Sequence, residues 1–128
     1  MELVGCTAQG DWYRVYYADL SADSDPLARA CGTAMLELLS ALARAPWPGR
    51  VYLLTSMSTL CLLSQDSYEP EGWHVRIEPP WEGVFIIEFD PPGSKTPVAV
   101  TAVTPDEAVE KVLAGMRASG GWAGHPGS

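Results

Sequence analysis

Between residues 51 and 103 five short apolar runs follow one another, at 51–55, 59–63, 73–78, 84–89 and 98–103. The gaps between them hold three to nine residues. A parallel pair of strands needs a crossover of about a dozen residues or more. Successive runs must therefore pair antiparallel if they are strands. The gaps are also rich in chain-turning residues: Pro70-Glu71-Gly72, Pro79-Pro80 and Pro91-Pro92-Gly93, with Pro48-Gly49 ahead of the first run. A further run at 12–17 (WYRVYY) is aromatic and β-branched and alternates like a strand, and residues 2–6 suit a short edge strand.

Two segments carry helix signals instead. The first spans 26–44. Asp25 is placed to cap it, Pro26 occupies the first helical position, where its missing N–H costs nothing, and Pro46 and Pro48 stop it. Leu27, Cys31, Ala34, Met35, Leu38, Leu39 and Leu42 recur at helical spacing as one apolar stripe. Gly32 interrupts it at a propensity cost of up to ~1 kcal/mol relative to alanine. The second spans 105–118. Thr104-Pro105-Asp106-Glu107 forms a capping box, Ala108, Val109, Val112, Leu113 and Met116 form the apolar stripe, and Gly120-Gly121 ends it.

These elements predict an α+β fold: an antiparallel sheet of about five or six strands with two amphipathic helices packed on one face, in the order β-α-β-β-β-β-β-α. The 128 residues suit a single domain over 1–122, with Trp122 folded back onto it and 123–128 as a flexible tail.

Composition excludes several classes of function. The N-terminus has no basic start followed by an apolar run, and no apolar stretch is long enough to span a bilayer, so the expectation is a cytoplasmic protein with no membrane partner. Cys6, Cys31 and Cys61 are odd in number and widely spaced, which suits buried thiols rather than disulfides or a zinc site. The net charge is −8, and residues 66–90 hold seven carboxylates (Asp66, Glu69, Glu71, Glu78, Glu82, Glu88 and Asp90) against Arg76 alone. That surface repels nucleic acid and attracts a basic protein or a cationic ligand. The absence of asparagine and the scarcity of lysine fit a GC-rich bacterial genome.

Within the stretch EGWHVRIEPPWEGVFIIEFD, strand alternation puts His74, Arg76 and Glu78 on one face and Trp73, Val75 and Ile77 on the core side. On the next strand Phe85, Ile87 and Phe89 face the core, and Glu88 shares the outer face with Val84 and Ile86. Arg76 between His74 and Glu78 opposes a bound cation, so no metal site is expected, and His74 is expected as a surface residue in a cross-strand charge pattern. If 12–17 is a strand, Trp12, Arg14 and Tyr16 share a face. The expected partner-binding residues are thus Trp12, Arg14, Tyr16, Trp73, His74, Arg76, Glu78, Trp81, Glu82 and Glu88: aromatic anchors among charges. Apolar side chains on both faces of 84–89 raise the expectation of a homodimer that covers the outer face.

No catalytic or cofactor-binding residue is expected. Gly93-Ser94-Lys95-Thr96 lacks the glycine five residues earlier that a phosphate-cradling loop requires. There is no GxGxxG, GxSxG or HExxH. The ending MRASGGW after a capped helix resembles the C-termini of small bacterial proteins, a group that includes immunity proteins of toxin systems and products of mobile gene cassettes. The resemblance implies no site residue. The expected function is a non-enzymatic protein-binding module, immunity- or inhibitor-like, which meets a basic partner through residues 66–90. A small-molecule-binding domain is the alternative, and an enzyme of unrecognised type comes third; a cleft joining Cys6, His74 and a carboxylate would mark the last.

Overall fold

The structure, a computed structural model, describes residues 1–67, 74–91, 93–119 and 122. In chain order the elements are β1 (Glu2–Gly5), α1 (Trp12–Ser21), α2 (Pro26–Ala43), β2 (Arg50–Ser56), β3 (Thr59–Leu63), β4 (His74–Glu78), β5 (Phe85–Phe89), β6 (Val98–Ala102) and α3 (Pro105–Ser119). The six strands form one mixed sheet in sequence order, β1-β2-β3-β4-β5-β6. Among the described residues only β1 and β2 pair parallel, and the connection between them carries two helices. From β2 onwards every pairing is antiparallel, as the short gaps require. The class is α+β.

The run at 12–17 is not a strand. It begins α1, so the described residues hold three helices beside the sheet rather than two. Six residues satisfy both periods, and tertiary packing chooses the helical one. Tyr13 and Tyr17, four apart, are buried together in the core, with Tyr16 and Leu20 half-buried beside them.

The N-cap hydrogen bonds form at both predicted helix starts. The Asp25 carboxylate accepts from the Ala28 N–H at 3.0 Å, and Thr104 Oγ1 accepts from the Glu107 N–H at 3.1 Å. Trp122 is buried and donates its indole N–H to Ser119 Oγ at 2.9 Å. The tail over 123–128, the glycines at 120–121 and the turn at 70–72 lie outside the described residues, as does Pro92.

One core joins the helices to one face of the sheet. It gathers Tyr17, Met35, Leu38, Leu42, Val112 and Met116 from the helices against Val51, Leu53, Leu60, Leu62, Val75, Ile77, Phe85 and Ile87 from the strands. Two glycines make the packing close enough. A Cβ on Gly115 would stand 2.8 Å from the Phe89 ring. A Cβ on Gly32 would stand 2.2 Å from the backbone nitrogen of Ser21 and 2.6 Å from the carbonyl carbon of Leu20. Gly32 is thus not a defect in α2 but the point where α1 crosses it. Gly32→Ala should destabilise the protein by about 1–3 kcal/mol through overpacking, although alanine is the better helix former. The check is the urea midpoint; a midpoint at or above that of the unaltered protein contradicts the reading.

Candidate functional site

No described residue of the other sheet face belongs to the core, although Cys61, Leu63 and His74 on it are buried, and strand register orders its side chains in rows. Nearest the β2–β3 turn stand Ser56, Thr59, Glu78, Ile86 and Thr101. The next row is Leu54, Cys61, Arg76, Glu88 and Ala99, and the third begins Tyr52, Leu63, His74. Short side chains at Ser56, Thr59 and Cys61 lie between long ones at Leu54, Arg76, Glu78 and Glu88. The difference in length opens a cavity of about 420 Å³, with Met57 at its rim.

The charges around it are unequal. Arg76 Nη1 lies 3.1 Å from Asp90 Oδ2, and its Nε lies 3.7 Å from Glu88 Oε2. Glu78 accepts from the Thr59 hydroxyl at 3.0 Å and enters no ion pair among the described residues. Two carboxylates therefore share the Arg76 guanidinium, and Glu78 and Glu88 outnumber Arg76 along the cavity lining, so a cation entering the cavity meets a net negative field.

His74 is on the predicted face, but it is not a surface residue. It is only 4% exposed. Its Nε2 lies 3.4 Å from Asp90 Oδ2 and contacts Arg76 Nη1, because the long arginine side chain reaches past the ring to Asp90. Cys61 on the cavity floor is buried, and burial pushes its thiol pKa up, against an opposing effect from Arg76. A thiol held protonated is a poor nucleophile. Cys6 lies just past β1, with β2 and β3 between it and the strand that carries His74, roughly 14 Å at ordinary strand spacing. Among the described residues no group of three or more His, Cys, Asp or Glu side chains is placed to hold a metal ion. No described helix is long and apolar enough to cross a membrane.

The β2–β3 turn sets the rim. Met57 is the one non-glycine with positive φ among the described residues, at 56°, and it is 91% exposed. Two residues join the strands, and only the first has positive φ, the pattern of a type II′ hairpin, where glycine is usual. Holding an L-residue there costs roughly 1–2 kcal/mol. Its neighbour Ser58 is braced twice. The buried Tyr17 hydroxyl donates to the Ser58 carbonyl at 2.8 Å, and the Trp81 indole N–H donates to Ser58 Oγ at 3.2 Å. Burial also pushes the Tyr17 phenol pKa well above its ordinary range, so it stays a donor.

Of the expected binding residues, the structure brings His74, Arg76, Glu78 and Glu88 together on the outer face. Trp81 is half-buried and holds the turn, and Glu82 is exposed beside it. Trp12, Arg14 and Tyr16 stand on α1, which packs with α2 and β2 in the helical layer, and so do not share a strand face. There Trp12 and Tyr16 meet ring to ring at 6.1 Å, and Arg14 lies 5.5 Å over the Tyr13 ring. Trp73, like Glu69 and Glu71, lies outside the described residues. Sequence reasoning missed Met57, Leu54 and Cys61. The available signal was the three-residue gap between the runs at 51–55 and 59–63, which calls for a tight hairpin turn and holds no glycine to make it.

Compared with known proteins, the chain matches no protein-family model, no curated protein and no solved structure.

Asp66 belongs to a separate contact. Its carboxylate accepts from the Thr7 N–H at 2.6 Å and from the Thr7 hydroxyl, tying the loop after β1 to the loop after β3. Those two donors hold its pKa below the ordinary 3.8. A carboxylate depressed on folding adds stability above its unfolded value and loses it as pH falls through the folded one. Asp66→Asn should therefore lower the urea midpoint at neutral pH, and the difference from the unaltered protein should shrink once pH drops below 3.8. A difference independent of pH would assign the loss to something other than this carboxylate.

Proposed function

We propose that this chain is a non-catalytic protein-binding module that engages a basic partner through the open face of its sheet. The observation that carries the reading is the cavity on that face, whose lining holds Glu78 and Glu88 against Arg76, and which no described helix lines. An acidic depression on a sheet face suits electrostatic steering, and apolar groups at its rim suit a hot spot. The strongly acidic chain, at −8, adds a long-range field of the same sign. In its fullest form the proposal is an immunity-like inhibitor that neutralises a basic toxin or nuclease of a bacterial host.

The cavity volume favours one other reading. About 420 Å³ falls within the range of small-ligand sites, so a small cationic ligand is the second proposal. Native mass spectrometry on protein purified gently from its own host separates the two. A stoichiometric adduct of protein mass supports the first, and a small adduct supports the second. With a protein partner in hand, Glu78→Lys combined with Glu88→Lys should slow association on the order of tenfold or more at low salt and flatten its salt dependence. Unchanged association kinetics in that double variant would remove the basis for the binding face.

A further inference from the structure

Met57 calls for an explanation that folding does not supply. The turn it occupies is one that glycine fits and methionine strains, with φ of 56°. Its side chain is almost wholly in water, at 91% exposure, so it adds little to the core. Yet the turn is held in place by Tyr17 on one side and Trp81 on the other, both through Ser58. A strained, rigidly held position with a flexible apolar side chain beside a cavity is the profile of a contact residue.

What the cavity admits follows from its lining. Leu54 and Cys61 supply apolar surface, Met57 supplies more at the rim, and Glu78 supplies a carboxylate in no ion pair among the described residues. Arg76 is already shared between Glu88 and Asp90. The complement is a long side chain with an apolar stem and a cationic head. We infer that the cavity receives one arginine or lysine side chain of a protein partner, with Met57 packed on its stem and Glu78 on its head. This rests on the protein-binding reading above and narrows it from a charged surface to one socket.

The test uses capped pentapeptides, acetyl-Gly-Leu-Arg-Leu-Gly-amide and its lysine and glutamate counterparts. They are titrated into the full chain carrying ¹³C-methyl methionine. Met35 and Met116, fully buried, serve as internal references. The arginine and lysine peptides should shift the Met57 methyl and the amides of residues 54–61 saturably, and the glutamate peptide should not. Glu78→Gln should weaken the arginine peptide roughly tenfold, the size of one lost charge-assisted hydrogen bond. Met57→Gly should raise the unfolding midpoint, since glycine fits the turn, and yet weaken the peptide by roughly threefold or more. That opposition between stability and binding is not expected of a merely structural residue.

Three results overturn the inference. Salt-sensitive binding of the arginine peptide with the Met57 methyl unmoved would leave the basic-partner reading standing and remove the socket. Free butylguanidinium binding as tightly as the peptide would make the occupant a small cation rather than a partner's side chain. No response to any basic peptide at millimolar concentration, together with no protein adduct in the native mass spectrum, would remove both the socket and the reading beneath it.

Discussion

The close crossing of α1 and α2 at Gly32 governs how the chain can use its sheet. The connection from β1 to its parallel neighbour β2 contains both helices, and the two must nest tightly to cover the inner face of the first strands. α3 then packs against β4, β5 and β6, beside α2. The described apolar core is thereby assembled on one side of the sheet, and every helix is committed to it. The charged side chains on the other side, Arg76, Glu78 and Glu88, have to be paired or solvated.

The outer face meets that demand by charge and by length. Arg76 stands in the middle row and is shared by carboxylates of the neighbouring β5 strand and of Asp90 just beyond it. An ion pair at this level of exposure contributes little net stability, on the order of 0–1 kcal/mol. Its structural effect is larger. The arginine side chain crosses His74, and the short residues of β3 beside it leave the depression open. The thiol in the cavity is held protonated by burial, and the Arg76 guanidinium is paired with two carboxylates.

Much of the fold was legible in the sequence, because several elements carry signals at more than one level. Asp25-Pro26 and Thr104-Pro105 mark helix starts by cap chemistry and proline position together, and an apolar stripe confirms each. The antiparallel course from β2 to β6 follows from gap length alone. The segment WYRVYY was not legible, because its aromatic residues are strand formers by propensity while its buried pair, Tyr13 and Tyr17, is helical by spacing. Only contact with α2 decides between them. Gly32 was legible as a glycine, but its purpose lies in a backbone eleven residues earlier in the chain. For His74 alternation gave the right face and the wrong exposure, since periodicity assigns a side chain to a face and does not say what covers it.

The acidic stretch shows most clearly what register adds to composition. Seven carboxylates between 66 and 90 look like one patch, but the fold gives the described ones different tasks. Asp66 is occupied by Thr7 and joins two loops. Glu88 and Asp90 share Arg76. Glu82 stands in solvent beside the Trp81 turn, and Glu78 lines the cavity. Total charge fixes only the sign of the long-range field, while strand pairing, which puts Glu78 beside Thr59 and close to the Met57 turn, separates that carboxylate from those already held by Thr7 and Arg76.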